Sequence, residues 1–286
     1  MSSRIIRRGG GFFLGFFGPK LGPHSQRITR FCSTSSHMKS EMIHPELQTG
    51  EDRPFIPLYE THVYTTAVQK TVLALGSSII ALTDPYRADM VAVSGETLGQ
   101  RALQNMYEKM KDSREGRALL KDRPTINSST VDFDYLKSLP EHSLGHTYAS
   151  FCEKQKITPD SRDPVQFVDD EGLAFVMKRY RETHDLVHAV LDLKTDMVGE
   201  ALVKWVEAMQ TGLPMCIGAA ILGPSRFSKN SQFEKFRQLR PWAISVGQNA
   251  KFLQNVYYEH RWEQDIDDLK YELRIDPKPS LLLKTK

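Results

Sequence analysis

Two histidines and an aspartate fall within five positions of this chain, at His184, Asp185 and His188, and Glu200 follows twelve residues after the second histidine. On a helix, positions four apart differ by about 40° around the axis and about one turn along it, so the His184 and His188 imidazoles can converge on one ion. Asp185, about 100° from His184 and about 60° from His188, can bring its carboxylate from the same side. Glu200 can join them only if the chain reverses, because an unbroken helix would carry it about 18 Å from His188. Thr195 and Asp196 are good N-cap residues after "DLK", so the sequence predicts a corner there and an antiparallel helical hairpin, with Gly199 easing close backbone approach. Two imidazoles and two carboxylates would make a hard-to-borderline donor set. It suits Zn²⁺ well, and Fe²⁺, Mn²⁺ or Co²⁺ acceptably.

The same residues admit a plainer reading. Arg181 stands four positions before Asp185 and Lys204 four after Glu200, so each carboxylate has an intrahelical salt-bridge partner at hand. Val198, Leu202, Trp205 and Met209 form an apolar stripe, and Glu200 lies roughly 160° from its centre. A core-facing stripe would turn Glu200 away from the histidines. On residue pattern alone both readings stand. Other motifs fit less well. An H-E-x-x-H protease needs glutamate where Asp185 stands, and an "HD" phosphohydrolase needs a separate upstream histidine, for which His62, His142 and His146 are candidates. "SGETLG" (94–99) lacks the lysine and glycine spacing of a phosphate loop, and its glycines are expected to set a bend.

The elements needed to position these groups are all helical. Val63 to Leu82 is apolar at helical spacing and stops at Asp84-Pro85. Leu98, Ala102, Leu103, Met106 and Met110 form one stripe, and "REGRALLKDRP" closes that segment at Pro124. Asp132 and Ser143 are expected caps, with His142 preceding the helix that Ser143 starts. Leu173 to Leu191 keeps the 3.6-residue period, a second helix runs from about Asp196 to Gln210 before "TGLP", and a final helix is expected from about Val246 to Arg274. No run alternates with period two, so the expected fold is all-α, a single helical domain over residues 41–286.

Composition narrows the function classes. Residues 1–40 hold seven Lys/Arg and no acid, with abundant Ser and Gly and the cluster "FFLGFF", the composition of a mitochondrial transit peptide removed on import. Setting those seven aside from the 38 basic residues leaves 31 against 35 acidic ones, so the remaining chain carries about −4. That balance, without a clustered basic face, speaks against nucleic-acid binding. Three distant cysteines make neither a disulfide framework nor a zinc ribbon. The apolar runs at 71–82 and 213–223 are shorter than the roughly 20 residues of a membrane span and suit a core helix or a surface-lying segment.

The stretch "FVMKRYRETHDLVHAVLDLKTDMVGEALVKWVEAMQTGLPMC" (175–216) closely resembles the mitochondrial coenzyme Q biosynthesis protein 4 homologues, whose mark is H-D-x-x-H, eleven residues and a glutamate. Further resemblance lies in "DPYRADMVAVSGETLG", "DSREGRALLKDRP", "LPEHSLGHTYASF", "PWAISVG" and "YYEHRWEQ", in the same order along the chain. Gly172 departs from the acidic or polar residue expected before the motif helix and touches no ligand position. The resemblance implies a metal site of His184, Asp185, His188 and Glu200 holding Zn²⁺ or another divalent ion. It also implies a peripheral protein on the matrix side of the mitochondrial inner membrane, working with other enzymes of the coenzyme Q synthesis complex; self-pairing into a homodimer stays open. The implied activity is that of a carboxy-lyase. It removes the C1 carboxyl group of a 4-hydroxy-3-methoxy-5-polyprenylbenzoate to give a 2-methoxy-6-polyprenylphenol, with or without hydroxylation at that carbon. The alternative is a non-catalytic scaffold that binds the polyprenyl intermediate and keeps a structural metal.

Overall fold

The computed structural model describes residues 57–84 and 87–281; the import segment expected over 1–40 lies outside the described residues. Among them the chain is all-α, as predicted, with eleven α-helices and one isolated antiparallel bridge, Ser143 to Asp265.

Helix α1 (Ala67–Thr83) opens on a capping box between Thr66 and Gln69 and stops at Asp84, before Pro85. Helices α2 (Ala88–Leu98) and α3 (Gln100–Asp112) are separated by Gly99, where an added Cβ would meet the Gly95 carbonyl oxygen at 2.1 Å. That glycine is the bend anticipated in "SGETLG". Ser113, Asp132 and Ser143 cap α4 (Arg114–Asp122), α5 (Phe133–Ser138) and α6 (Leu144–Gln155), each accepting a hydrogen bond from a first-turn N–H.

Helix α7 (Glu171–Val190) is buried from Leu173 to Val190 except at Lys178. Its first half, to Tyr180, packs with Leu103, Met106 and Met110 of α3; its second half joins Leu144 and Tyr148 of α6 in a separate cluster. A helix enclosed on every side must partner each polar group it carries, because an unpartnered one costs on the order of 1–3 kcal/mol. Thr183 is satisfied within the helix, its hydroxyl donating to the Arg179 carbonyl at 2.8 Å, whereas Arg179, Arg181, His184, Asp185 and His188 find partners on other segments.

The predicted reversal follows. Asp192 adopts a left-handed φ of 49°, and the Leu193 N–H donates to the His188 carbonyl at 3.0 Å. Helix α8 (Met197–Thr211) then starts on Asp196, whose carboxylate accepts from the Val198 and Gly199 N–H groups. Gly199 permits a close approach, but within the corner rather than between the helices: an added Cβ would fall 1.9 Å from the Lys194 carbonyl oxygen. Helix α9 (Pro214–Leu222) begins on proline after Gly212, which takes the left-handed φ of 68°, and α10 (Asn230–Asn249) packs along α8.

One expected element is wrong. The helix predicted from Val246 to Arg274 ends at Asn249, continues as two 3-10 turns (Leu253–Asn255 and Tyr258–His260), and resumes only as α11 (Ile266–Glu272), capped by Asp265. Tertiary partners override the local pattern. Gln210 bonds the Leu253 N–H and the Lys251 carbonyl, and buried Arg179 holds Glu259 and the Val256 carbonyl, which pulls the segment out of helical pairing. Among the described residues no helix is long and apolar enough to cross a membrane.

Candidate metal centre

The hairpin brings three of the four predicted residues together. Ligand-type atoms of His184, His188 and Glu200 all lie within 4.8 Å of one another. Glu200 Oε2 is 3.5 Å from His184 Nε2, and Glu200 Oε1 is 3.4 Å from His188 Nε2. Donors bound to one small divalent ion at about 2.0–2.1 Å in a tetrahedral arrangement sit about 3.3 Å apart, so both Glu200 separations match a shared cation.

The far side of each imidazole fixes what its Nε2 can do. His188 Nδ1 lies 3.0 Å from the Leu193 carbonyl oxygen, which can only accept, so Nδ1 donates to it and the ring is turned with Nε2 toward Glu200. His188 Nε2 is buried and makes no hydrogen bond. An orphaned buried nitrogen facing a carboxylate is the feature a cation would satisfy. His184 Nδ1 bonds Glu207 Oε1 at 2.6 Å. Both histidines thus have the oriented outer partner that ligating imidazoles need.

Behind His184 lies a closed polar network. Glu207 Oε2 accepts from Lys204 Nζ at 2.7 Å and from the Tyr180 hydroxyl at 2.8 Å, and the hydroxyl also lies 3.1 Å from Cys216 Sγ. Burial opposes ionisation of Glu207, but Lys204 and His184 outweigh it and hold the carboxyl well below its ordinary range. Burial and Lys204 depress His184, yet Glu207 and Glu200 outweigh them and lift it to about 9. Burial likewise works against the Glu200 carboxylate, and the two imidazoles overcome it, holding that group well below its usual value. His184 therefore sits between two carboxylates in a place that demands positive charge, supplied by a proton or by a metal ion. Burial lifts the Cys216 thiol to about 12, so no thiolate competes.

Asp185 is the predicted residue that does not join the three. Its buried carboxylate is held by Arg162 Nη2 at 2.5 Å. The salt bridges expected within the helices do not form either. Arg181 bonds Glu96 and the carbonyls of Ala92 and Asp163, while Lys204 turns to Glu207 and Tyr180. The conflict over the apolar stripe dissolves because α8 is enclosed on several sides: Ala201, Val203 and Val206 are buried along with Val198 and Leu202, while Met209 is exposed. The informative pattern was polar. Glu200, Lys204, Glu207 and Thr211 recur at helical spacing on an otherwise apolar helix, and that seam faces His184 and Tyr180 of α7. The rival upstream histidines are spent elsewhere, His62 on Asp169 and His146 on the Lys137 carbonyl, and His142 precedes α6 as expected.

Access separates the three residues. The His188 side chain is 0% exposed and that of Glu200 38%, so the cluster opens to the outside on the glutamate's side.

Residues 59–279 match the family model described as "Coenzyme Q (ubiquinone) biosynthesis protein Coq4". The chain is 47% identical over 249 residues to the mitochondrial ubiquinone biosynthesis protein COQ4 homolog of Bombyx mori, covering 87% of this chain and 92% of that one. It is 50% identical over 222 residues to the Mus musculus homolog of the same name, covering 78% and 84%. A crystal structure from Nostoc punctiforme, provisionally described there as a ubiquinone biosynthesis protein, shares the fold with a TM-score of 0.59 at 21% identity, covering 72% of this chain and 99% of that one.

Proposed function

The chain belongs to the Coq4 family of coenzyme Q (ubiquinone) biosynthesis proteins, and we propose that within that biosynthesis it is a metal-dependent carboxy-lyase. Its substrate in this reading is a 4-hydroxy-3-methoxy-5-polyprenylbenzoate, its product a 2-methoxy-6-polyprenylphenol. The observation that carries the metal is the orphaned, fully buried His188 Nε2 facing Glu200. His184, His188 and Glu200 would hold the ion, Zn²⁺ or another divalent metal, with Asp185, now bonded to Arg162, as the fourth ligand. The ion supplies positive charge that stabilises a carboxylate or phenolate.

The chemistry needs a proton at C1. The hydroxyl group para to the carboxyl lets C1 accept that proton, after which the C1–carboxyl bond breaks, CO₂ leaves and its electron pair restores the aromatic ring. Glu200, partly exposed while the imidazoles are closed off, is the group of the cluster through which a proton reaches the site from solvent. Glu207 and the Leu193 carbonyl keep the two rings turned inward.

A polyprenyl substrate calls for a lipid-facing surface. Val68, Val72, Leu75, Ile79 and Leu82 expose one face of α1, and Ile217, Ile221 and Leu222 of α9 are exposed too. Arg226, just past α9, donates to the Leu82 carbonyl, so the ends of the two helices adjoin. This surface supports attachment to the matrix face of the mitochondrial inner membrane, beside the other enzymes of the coenzyme Q synthesis complex.

The competing reading is a scaffold that binds the polyprenyl intermediate around a structural metal, which the closed setting of His188 favours. Metal-loaded protein given the prenylated acid decides between them. The carboxy-lyase releases CO₂, and His188→Ala loses bound metal and CO₂ release together while keeping its helical circular dichroism. Full turnover by folded, metal-free His188→Ala, or no CO₂ from metal-loaded wild type, overturns the proposal.

A further inference from the structure

Three arginines lie on or beside α7 where it carries the cluster, and their hydrogen bonding differs. Arg179 is wholly buried and committed to Glu259 and the Val256 carbonyl. Arg181 is committed to Glu96 and two backbone carbonyls. Both tie α7 to neighbouring segments. Arg162 follows the 3-10 turn Pro159–Ser161, and its side chain, 35% exposed, makes one hydrogen bond, from Nη2 to Asp185 Oδ1. A guanidinium carries five N–H donors in a rigid fork matched to a carboxylate. Four of its donors thus have no protein partner on this partly exposed side chain, while its one bond goes to the residue next to His184.

We propose that Arg162 is the carboxylate anchor of this site, exchanging Asp185 for the carboxylate of an aromatic acid. The inference rests on the metal-site reading in one respect: Asp185 serving as a ligand beside His184 and His188 would free the guanidinium. Arg162 is suited to the exchange because its present partner is itself a carboxylate, so the incoming group replaces like with like. The loop position lets it approach from outside the helical core, on the partly exposed side shared with Glu200. The charge of Glu200 acts on Arg162 as well as that of Asp185, which places the guanidinium in the field of the cluster. Lys204 cannot take this role, because its ammonium is committed to Glu207 and Tyr180.

The test uses full-length metal-loaded protein and two probes. One is 3,4-dimethoxy-5-geranylbenzoate, which lacks the free 4-hydroxyl needed to lose CO₂; the other is the same ring without the carboxyl group. Binding is measured by calorimetry for wild type, Arg162→Lys and Arg162→Met, with metal content determined on the same samples. Arg162→Met is expected to weaken the acid about ten- to hundredfold, as loss of charge-assisted hydrogen bonds does, and Arg162→Lys to weaken it less. Affinity for the neutral probe stays the same, and metal content stays at or above that of wild type. Asp185→Asn, which releases the guanidinium from its internal partner, is expected to bind the acid more tightly than wild type when both are metal-free, with no gain for the neutral probe. Equal acid affinity in wild type and Arg162→Met overturns the anchor, as does a parallel loss of the neutral probe or a wild type that does not distinguish the two probes. Wild type that takes up no metal contradicts the metal site instead, and the metal-free Asp185→Asn comparison still tests the anchor by itself.

Discussion

The chemistry of this chain depends on individual side chains being held at fixed orientations. Glu207 touches His184 on the side away from the cluster, so its removal should act on metal affinity through ring orientation. Glu207→Gln keeps the shape and a hydrogen-bond acceptor but removes the charge, and is expected to lower metal affinity about 10- to 100-fold without loss of helicity, as read by competition with a chelating dye. Unchanged affinity would show that His184 is held without Glu207. A second residue, Glu182, gives a pH test. Burial lifts its carboxyl to about 7 against the opposing pull of Lys178 at 3.7 Å, and Glu182 Oε2 has no hydrogen-bond partner. Between pH of about 4.5 and 7 the folded state therefore binds more protons than the unfolded one, and this group's contribution falls as pH rises through that window. Glu182→Gln is expected to stabilise the protein at pH 8 relative to pH 4.5, by up to about 3 kcal/mol in denaturant unfolding. An equal effect at both values would contradict the shifted carboxyl.

At the scale of elements, the corner between α7 and α8 decides whether Glu200 reaches the histidines. Asp196→Ala removes the cap and should cost about 1 kcal/mol of stability while the metal is retained. Gly199→Ala drives a methyl group into the Lys194 carbonyl and displaces the residue before Glu200, so it should cost about 1–3 kcal/mol and also weaken metal binding. If Gly199→Ala binds metal as wild type does, the corner does not set the site. This corner was legible in the sequence because its signals are local: Asp196 as a cap, Gly199 beside it, and two histidines four apart. What the sequence could not show was set by distant segments. Arg162 reaches Asp185 from a loop 23 positions away with no local pattern to announce it. The break of the expected last helix likewise depends on Arg179 and Gln210, far upstream. Glu207 was within reach of sequence reasoning, since it continues the polar seam of Glu200 and Lys204; following apolar positions alone passed over it.

At the scale of the whole molecule, an enclosed polar centre is combined with an outward apolar face on α1. Val68, Val72, Leu75, Ile79 and Leu82 together exceed what isolated surface hydrophobes explain, and their spacing keeps them on one side of the helix. The double substitution Val72→Lys and Ile79→Lys removes apolar surface worth roughly 1.5–3 kcal/mol per side chain when fully buried, so vesicle partitioning should fall at least about tenfold while the melting temperature stays put. Equal partitioning would assign this face to another partner. The central question is whether a divalent ion belongs between α7 and α8. Elemental analysis of the purified chain beside Glu200→Ala answers it most directly. The account predicts one equivalent of divalent metal on the wild type and a large loss in Glu200→Ala at unchanged helical content, whereas equal metal in both, or none in a wild type incubated with Zn²⁺, would contradict it.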